Sequence, residues 1–335
     1  MDRPRPAVDP ELDERLAALP LAPVTSADAL ARVRPFASSP VEPLLAGRDV
    51  HRREETATAA DGTPVPLTVL SPADRTGPAP CVYWVHGGGM IMGDRFSQID
   101  IPLEWLDQLG AVVVSVDHRL APEARGTTLV EDCYSGLTWV AAHAAELGID
   151  PAAVVVAGTS AGGGLAAGTT LMARDRSGPP IAAQVLICPM LDHRSSTVSS
   201  HQYAGGGVWP RETNEFAWRS VLGDTRDADV PAYVSPARAG DLAGLPTTYL
   251  DAGTAEVFRD EVVAYATRIW AAGGQAELHL WAGGVHGFDA LFSDAALSVE
   301  ARRTRTGWLA RALGAPVPGS ASAVAVPRGA VAAAG

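Results

Sequence analysis

Three short stretches carry residue types that could do chemistry together. Residues 158–162 read Gly158-Thr159-Ser160-Ala161-Gly162, a serine among glycines at the end of the valine-rich run "VVVAGTSAGGG". Residues 86–89 read His86-Gly87-Gly88-Gly89, and His286 stands between glycines in "LWAGGVHGFD". A serine hydroxyl becomes a nucleophile when a histidine takes its proton and an acid orients that histidine. The tetrahedral intermediate then needs backbone N–H donors, and bare glycines let such donors converge where a side chain would obstruct them. Of the eight histidines, His286 follows the last strand-like run, late enough to complete the order serine, acid, histidine. His86 reads as an anchor for its own glycine run rather than as a base.

The pentapeptide GxSxG is a weak signal alone, because chance supplies roughly 0.2 copies in a chain of this composition. Its context strengthens it: it closes a strand-like run and opens the small-residue helix "AGGGLAAGTTLMA", as a sharp strand–turn–helix elbow requires. A rival match exists, since Gly162-x-Gly164-x-x-Ala167 fits the dinucleotide fingerprint GxGxxA. There the first glycine must sit at the strand-to-helix turn, whereas Gly162 lies four residues past Gly158, inside the predicted helix. No P-loop is present either, in a chain without lysine.

These stretches need elements to hold them. Short apolar runs occupy 81–87, 111–119, 153–158, 182–189, 246–253 and 276–283, with helical patterns between most of them. Continuously apolar strands alternating with helices predict an α/β fold with a mostly parallel central sheet covered on both faces. Such sheets bind ligands at the carboxyl ends of their strands, where all three stretches fall. Ahead of them, alternating runs around Asp61-Gly62 predict a hairpin. Residues 1–45 predict helices broken by prolines, and 190–235 interrupts the alternation with "GGGVWPRETNEFAWRSVLG", an inserted helical pair. Together these two segments predict a cap over a catalytic domain of residues 46–313. The tail 314–335, low-complexity Ala/Gly/Pro/Val, is expected to be unstructured.

Composition narrows the function classes. All 26 basic residues are arginine, and the net charge of −12 argues against a nucleic-acid partner, which needs a basic surface. No apolar stretch reaches the roughly 18–20 residues of a membrane span, and "MDRPRPAVDPELDERLAALP" lacks the apolar core of a signal peptide. A cytoplasmic protein is expected. Cys81, Cys133 and Cys188 are odd in number and far apart, so they predict buried thiols rather than a disulfide framework or a zinc site. Neither a metal nor an organic cofactor is implied.

On these motifs the chain resembles the bacterial hormone-sensitive-lipase-like esterases, an α/β-hydrolase family with a helical cap, over about residues 45–313. "HGGGMIMGD" resembles the family's glycine segment, and "SVDHRLAPE" is similar to its "DYRLAPE". "GIDPAAVVVAGTSAGG", "EVFRDEVVAYATRIWAAG" and "GGVHGF" resemble the nucleophile, acid and histidine segments. The resemblance implies a serine carboxylic-ester hydrolase on short acyl esters, with Ser160 as nucleophile and His286 as base. It implies an oxyanion hole from the N–H groups of Gly88, Gly89 and Ala161. Four carboxylates follow the strand "PTTYLDAG" or end it: Asp251, Glu256, Asp260 and Glu261. Glu256 sits on the loop where this fold places its acid, and the family branch with threonine at position 159 tends to use glutamate.

The same resemblance implies a structural ion pair from Asp117 and Arg119. Met90, Met92, Trp209, Phe216 and Phe258 are candidate pocket walls, with Trp218 beside them, although aromatics at such spacing equally fit packing between cap helices. His118 stands where relatives have tyrosine, and "ARGTT" (124–128) replaces a Pro/Phe-rich loop, which leaves the substrate open. Lactone, amide or acyl-transfer chemistry on the same residues are alternatives, as is a non-catalytic binding protein on the same fold. The expected partner is a small-molecule ester, and a homodimer is the assembly entertained.

Overall fold

A computed structural model describes residues 4–38 and 40–318 of the chain. Its strands are β1 (Val50–Thr58), β2 (Pro64–Pro72), β3 (Ala79–Val85), β4 (Val112–Val116), β5 (Ile149–Thr159), β6 (Ala183–Ile187), β7 (Thr247–Ala255) and β8 (Ala276–Val285). They form one sheet in the order β1-β2-β4-β3-β5-β6-β7-β8. β1 and β2 make the hairpin around Asp61-Gly62, Thr58 facing Pro64, and β2 runs antiparallel to β4. Every other neighbouring pair is parallel. Each apolar run read from the sequence became a strand of this sheet.

The continuous apolar runs have a simple physical origin. Successive side chains of a strand point to opposite faces, so a strand covered on both sides needs apolar residues at every position. Val112, Val114 and Val116 of β4 belong to one core with Tyr83, Val85 and Val156, while Val113 belongs to the other with Val82, Trp84 and Val155. Residues of helices Thr128–Ala142, Ala161–Asp175 and Arg259–Ala271 close the first core; residues of Asp100–Leu109 and Ala296–Ala312 close the second.

The segment 190–235 carries helices Val198–Gln202 and Arg211–Leu222, and the N-terminal residues carry Pro10–Leu16 and Ala27–Val33. The two segments touch where Val24 N–H donates to the Thr213 hydroxyl at 2.9 Å; the N-terminal residues also meet β8, where Asp9 N–H donates to Gly283 O at 3.0 Å. Of the predicted tail, 319–335 lie outside the described residues. No described helix is long and apolar enough to cross a membrane. All three cysteines are unpaired and buried.

The expectation for Asp117 and Arg119 needs correction. They do not pair with each other. Asp117 accepts from Arg95 at 2.7 Å, while Arg119 pairs with buried Asp132 at 2.6 Å and with Asp61 at 2.7 Å. The arginine thus ties the hairpin turn to helix Thr128–Ala142.

Candidate active site

Ser160 stands between the last residue of β5 and the first of helix Ala161–Asp175, with φ 56° and ψ −123°. A non-glycine residue held at positive φ is strained, and the turn is so tight that its flanks tolerate only glycine. A Cβ on Gly158 would fall 2.3 Å from Gly162 O, and one on Gly162 would fall 2.1 Å from Val85 O. A Cβ on Gly164 would likewise fall 2.1 Å from the Met190 carbonyl. The glycines of the rival nucleotide fingerprint are therefore packing sites inside the helix, where it crosses the ends of the sheet.

From the tip of β8, His286 reaches this serine. The Ser160 hydroxyl donates to His286 Nε2 at 2.9 Å, and His286 Nδ1–H donates to Glu256 Oε2 at 2.7 Å. A carboxylate facing Nδ1 fixes the proton there and leaves the Nε2 lone pair turned to the serine. All three side chains are buried, with Ser160 at 8%, His286 at 7% and Glu256 at 2% exposure. Phe258 presses its ring edge-on to the imidazole, 5.1 Å between centroids.

The other three carboxylates are engaged elsewhere. Asp251 accepts from Arg305 at 2.8 Å. Asp260 accepts from Ser199 N–H at 2.7 Å, and Glu261 from Leu191 N–H at 2.6 Å.

The glycine run folds back on itself beside the serine. Ile91 and Met92 N–H groups both donate to Gly88 O, at 3.1 and 3.0 Å. Gly88 and Gly89 hold φ of 111° and 63°. His86 donates from Nδ1 to Gly87 O at 2.8 Å and stacks flat on His118, 4.2 Å between rings. Burial pushes both imidazoles below their ordinary range and keeps them neutral. Ala161 N–H, the first of its helix, belongs to the unpartnered positive end of the helix dipole.

A cavity of 270 Å³ opens over Ser160. Met92 and Trp209 line it, together with Gln98, Val208, Ala290 and Leu291, which carry no motif and were not anticipated. The remaining pocket candidates sit elsewhere. Met90 and Phe258 are fully buried in the core, Phe216 packs against that core from helix Arg211–Leu222, and Trp218 is buried edge-on to His193.

A family model described as the alpha/beta hydrolase fold matches residues 82–290. The chain belongs to this alpha/beta hydrolase family, in its hormone-sensitive-lipase-like branch. It is 34% identical to Carboxylesterase NlhH of Mycobacterium tuberculosis, over 85% of this chain and 89% of that one. Esterase LipI of the same species is 33% identical over 85% and 88% of the two chains. Among solved structures, a bacterial heroin esterase superposes with a TM-score of 0.86 at 38% identity, covering 92% of this chain and 98% of that one.

Within this alpha/beta hydrolase the charge state of His286 follows from its neighbours. Burial disfavours the imidazolium, but the Cys188 sulfur and the Glu256 carboxylate beside the ring outweigh it, and the imidazole titrates well above its ordinary range. A base raised in this way is strong, and its conjugate acid is stabilised where it would form.

Proposed function

We propose that this chain is a serine carboxylic-ester hydrolase acting through an acyl-enzyme on short acyl esters, with Ser160, His286 and Glu256 as its triad. The observation that carries the reading is the unbroken relay from serine hydroxyl to imidazole to carboxylate at the floor of a cavity. Ser160 Oγ attacks the acyl carbonyl while His286 Nε2 takes its proton, and Glu256 stabilises the imidazolium so formed. The oxyanion is received by the N–H groups of Gly88, Gly89 and Ala161, at the positive end of a helix. His286 returns its proton to the leaving alkoxide, which departs as the alcohol. Water, deprotonated by the same imidazole, then attacks the acyl-serine; the carboxylate leaves and Ser160 regains its proton. The names of the relatives, carboxylesterase and esterase, support the reaction class.

The preference for short acyl groups is supported by the 270 Å³ of the cavity and by Trp209, which lies over Gly89. The test is a fluorophosphonate label with p-nitrophenyl butyrate hydrolysis. Wild type should be labelled on Ser160 and active, and Ser160→Ala should lose the label and about four decades of kcat with its fold intact. Unchanged activity in Ser160→Ala would overturn the reading, and an unlabelled, inactive wild type would favour a binding protein.

A further inference from the structure

A loop of consecutive glycines has no side chains of its own to fix it, yet donors aimed at an oxyanion must be fixed before the reaction begins. One residue of this loop is held through both of its peptides. The Gly87 carbonyl accepts from His86 Nδ1–H at 2.8 Å, and the Gly87 N–H donates to Gln98 Oε1 at 3.0 Å. Because the partner is an N–H, the amide must present its oxygen, which leaves the Nε2 donors of Gln98 turned away from the loop. Gln98 also borders the cavity over Ser160 and a neighbouring one of 510 Å³, so this contact lies at the reaction chamber rather than in the core.

The backbone of Gln98 makes the contact more informative. It holds φ 54°, a conformation that side chains other than glycine, asparagine and aspartate rarely adopt. Its immediate turn is held by Ile101 N–H donating to Gln98 O at 3.2 Å and Ile99 N–H donating to Phe96 O at 3.3 Å. Local stability would favour glycine or asparagine here. Glutamine has the length and the acceptor to reach Gly87, without the charge that glutamate would bring beside the chamber.

Resting on the esterase reading above, we propose that Gln98 is the positioning residue of the oxyanion loop, its amide oxygen holding the Gly87 peptide so that the N–H groups of Gly88 and Gly89 stay converged. It acts through the loop and does not exchange protons with the substrate. Removing it should therefore weaken transition-state binding more than substrate binding.

Gln98→Asn separates this role from a structural one. Asparagine suits positive φ better but is one methylene too short to reach Gly87 N–H. We expect Tm unchanged or raised, KM within about twofold, and kcat for p-nitrophenyl butyrate down about 10- to 100-fold. Gln98→Met, of matching length without the acceptor, should lose kcat similarly. An alkyl trifluoromethyl ketone, which forms a tetrahedral adduct with the serine, should lose affinity in parallel with kcat/KM. The unfluorinated ketone should bind both variants as it binds wild type. Wild-type kcat in Gln98→Asn and Gln98→Met, or equal weakening of both ketones, would overturn this proposal and leave the esterase reading standing. An inactive, unlabelled wild type would overturn that reading and this proposal with it.

Discussion

Glu256 Oε2 lies 2.7 Å from His286 Nδ1, while Asp251, five residues earlier on the same strand-and-loop segment, turns instead to Arg305 at 2.8 Å. The two acids are buried to the same degree, each 2% exposed, so burial does not distinguish them. Direction does. Asp251 lies within β7 and its carboxylate joins Arg305, itself 1% exposed and shared with Asp289 at 2.9 Å. Glu256 lies just past the strand and faces the histidine loop.

That difference gives a paired prediction. Glu256→Gln should lower kcat by about three to four decades, because the imidazole loses both its tautomer control and its counter-charge. Its Tm should stay within a few degrees of wild type. Asp251→Asn should do the reverse, since it leaves a buried arginine with one fewer counter-charge, a loss of up to about 3–5 kcal/mol. The folded fraction of that variant should keep kcat within about threefold. Thermal unfolding alongside active-site titration separates the two cases, and an active Glu256→Gln would remove Glu256 from the proposed triad.

Activity should fall on the acid side at a higher pH than an ordinary histidine would give. The reacting form is neutral imidazole, and the neighbouring Cys188 sulfur and Glu256 carboxylate raise its pKa above the ordinary range despite burial, so protonation removes the base at a higher pH than it would for a free imidazole. Glu256→Gln deletes a group that favours the imidazolium, so the midpoint of its residual kcat/KM should move to lower pH. A rate independent of pH from 8 down to 5 would contradict His286 as base.

Gly89→Ala should cost about two decades of kcat. A Cβ there would lie 2.3 Å from the Trp209 ring, at a φ of 63° that disfavours any side chain. Either the loop or the indole must give way. The double variant with Trp209→Ala should regain part of the loss, since the steric share is relieved and the backbone share remains. Steady-state kinetics on both variants checks this, and wild-type kcat in Gly89→Ala would argue against the loop's proposed role.

Acyl preference is the fourth expectation. A chamber of 270 Å³ bounded by Met92, Val208, Trp209 and Leu291 should turn over a butyrate ester faster than a sixteen-carbon ester. A p-nitrophenyl series from two to sixteen carbons reads it directly, and faster palmitate hydrolysis would reject it.

Much of this molecule was legible from its sequence alone because the relevant signals are local. A strand buried on both faces must be apolar throughout, so "VVVSV" and "AQVLI" announce themselves without any neighbour being known. The elbow glycines are equally local, since their necessity is a close approach within a few residues: a Cβ on Gly158 would fall 2.3 Å from Gly162 O. Motif order could then bring forward Ser160, His286 and, among four acids, Glu256. Contacts across the chain were not legible. Asp117 and Arg119, both past the end of β4, went to separate partners, because a side chain there pairs with whatever the tertiary packing brings near, Arg95 for one and Asp132 for the other. The pocket walls divided the same way: Met92 and Trp209 face the chamber, while Met90 and Phe258, no less apolar, are turned into the core. Gln98 gave no signal at all, for its meaning is one hydrogen bond to a residue eleven positions away. Residue types and spacing determined which chemistry this chain could hold; the rotation of each side chain toward chamber or core was decided only by the packing of the whole sheet and its helices.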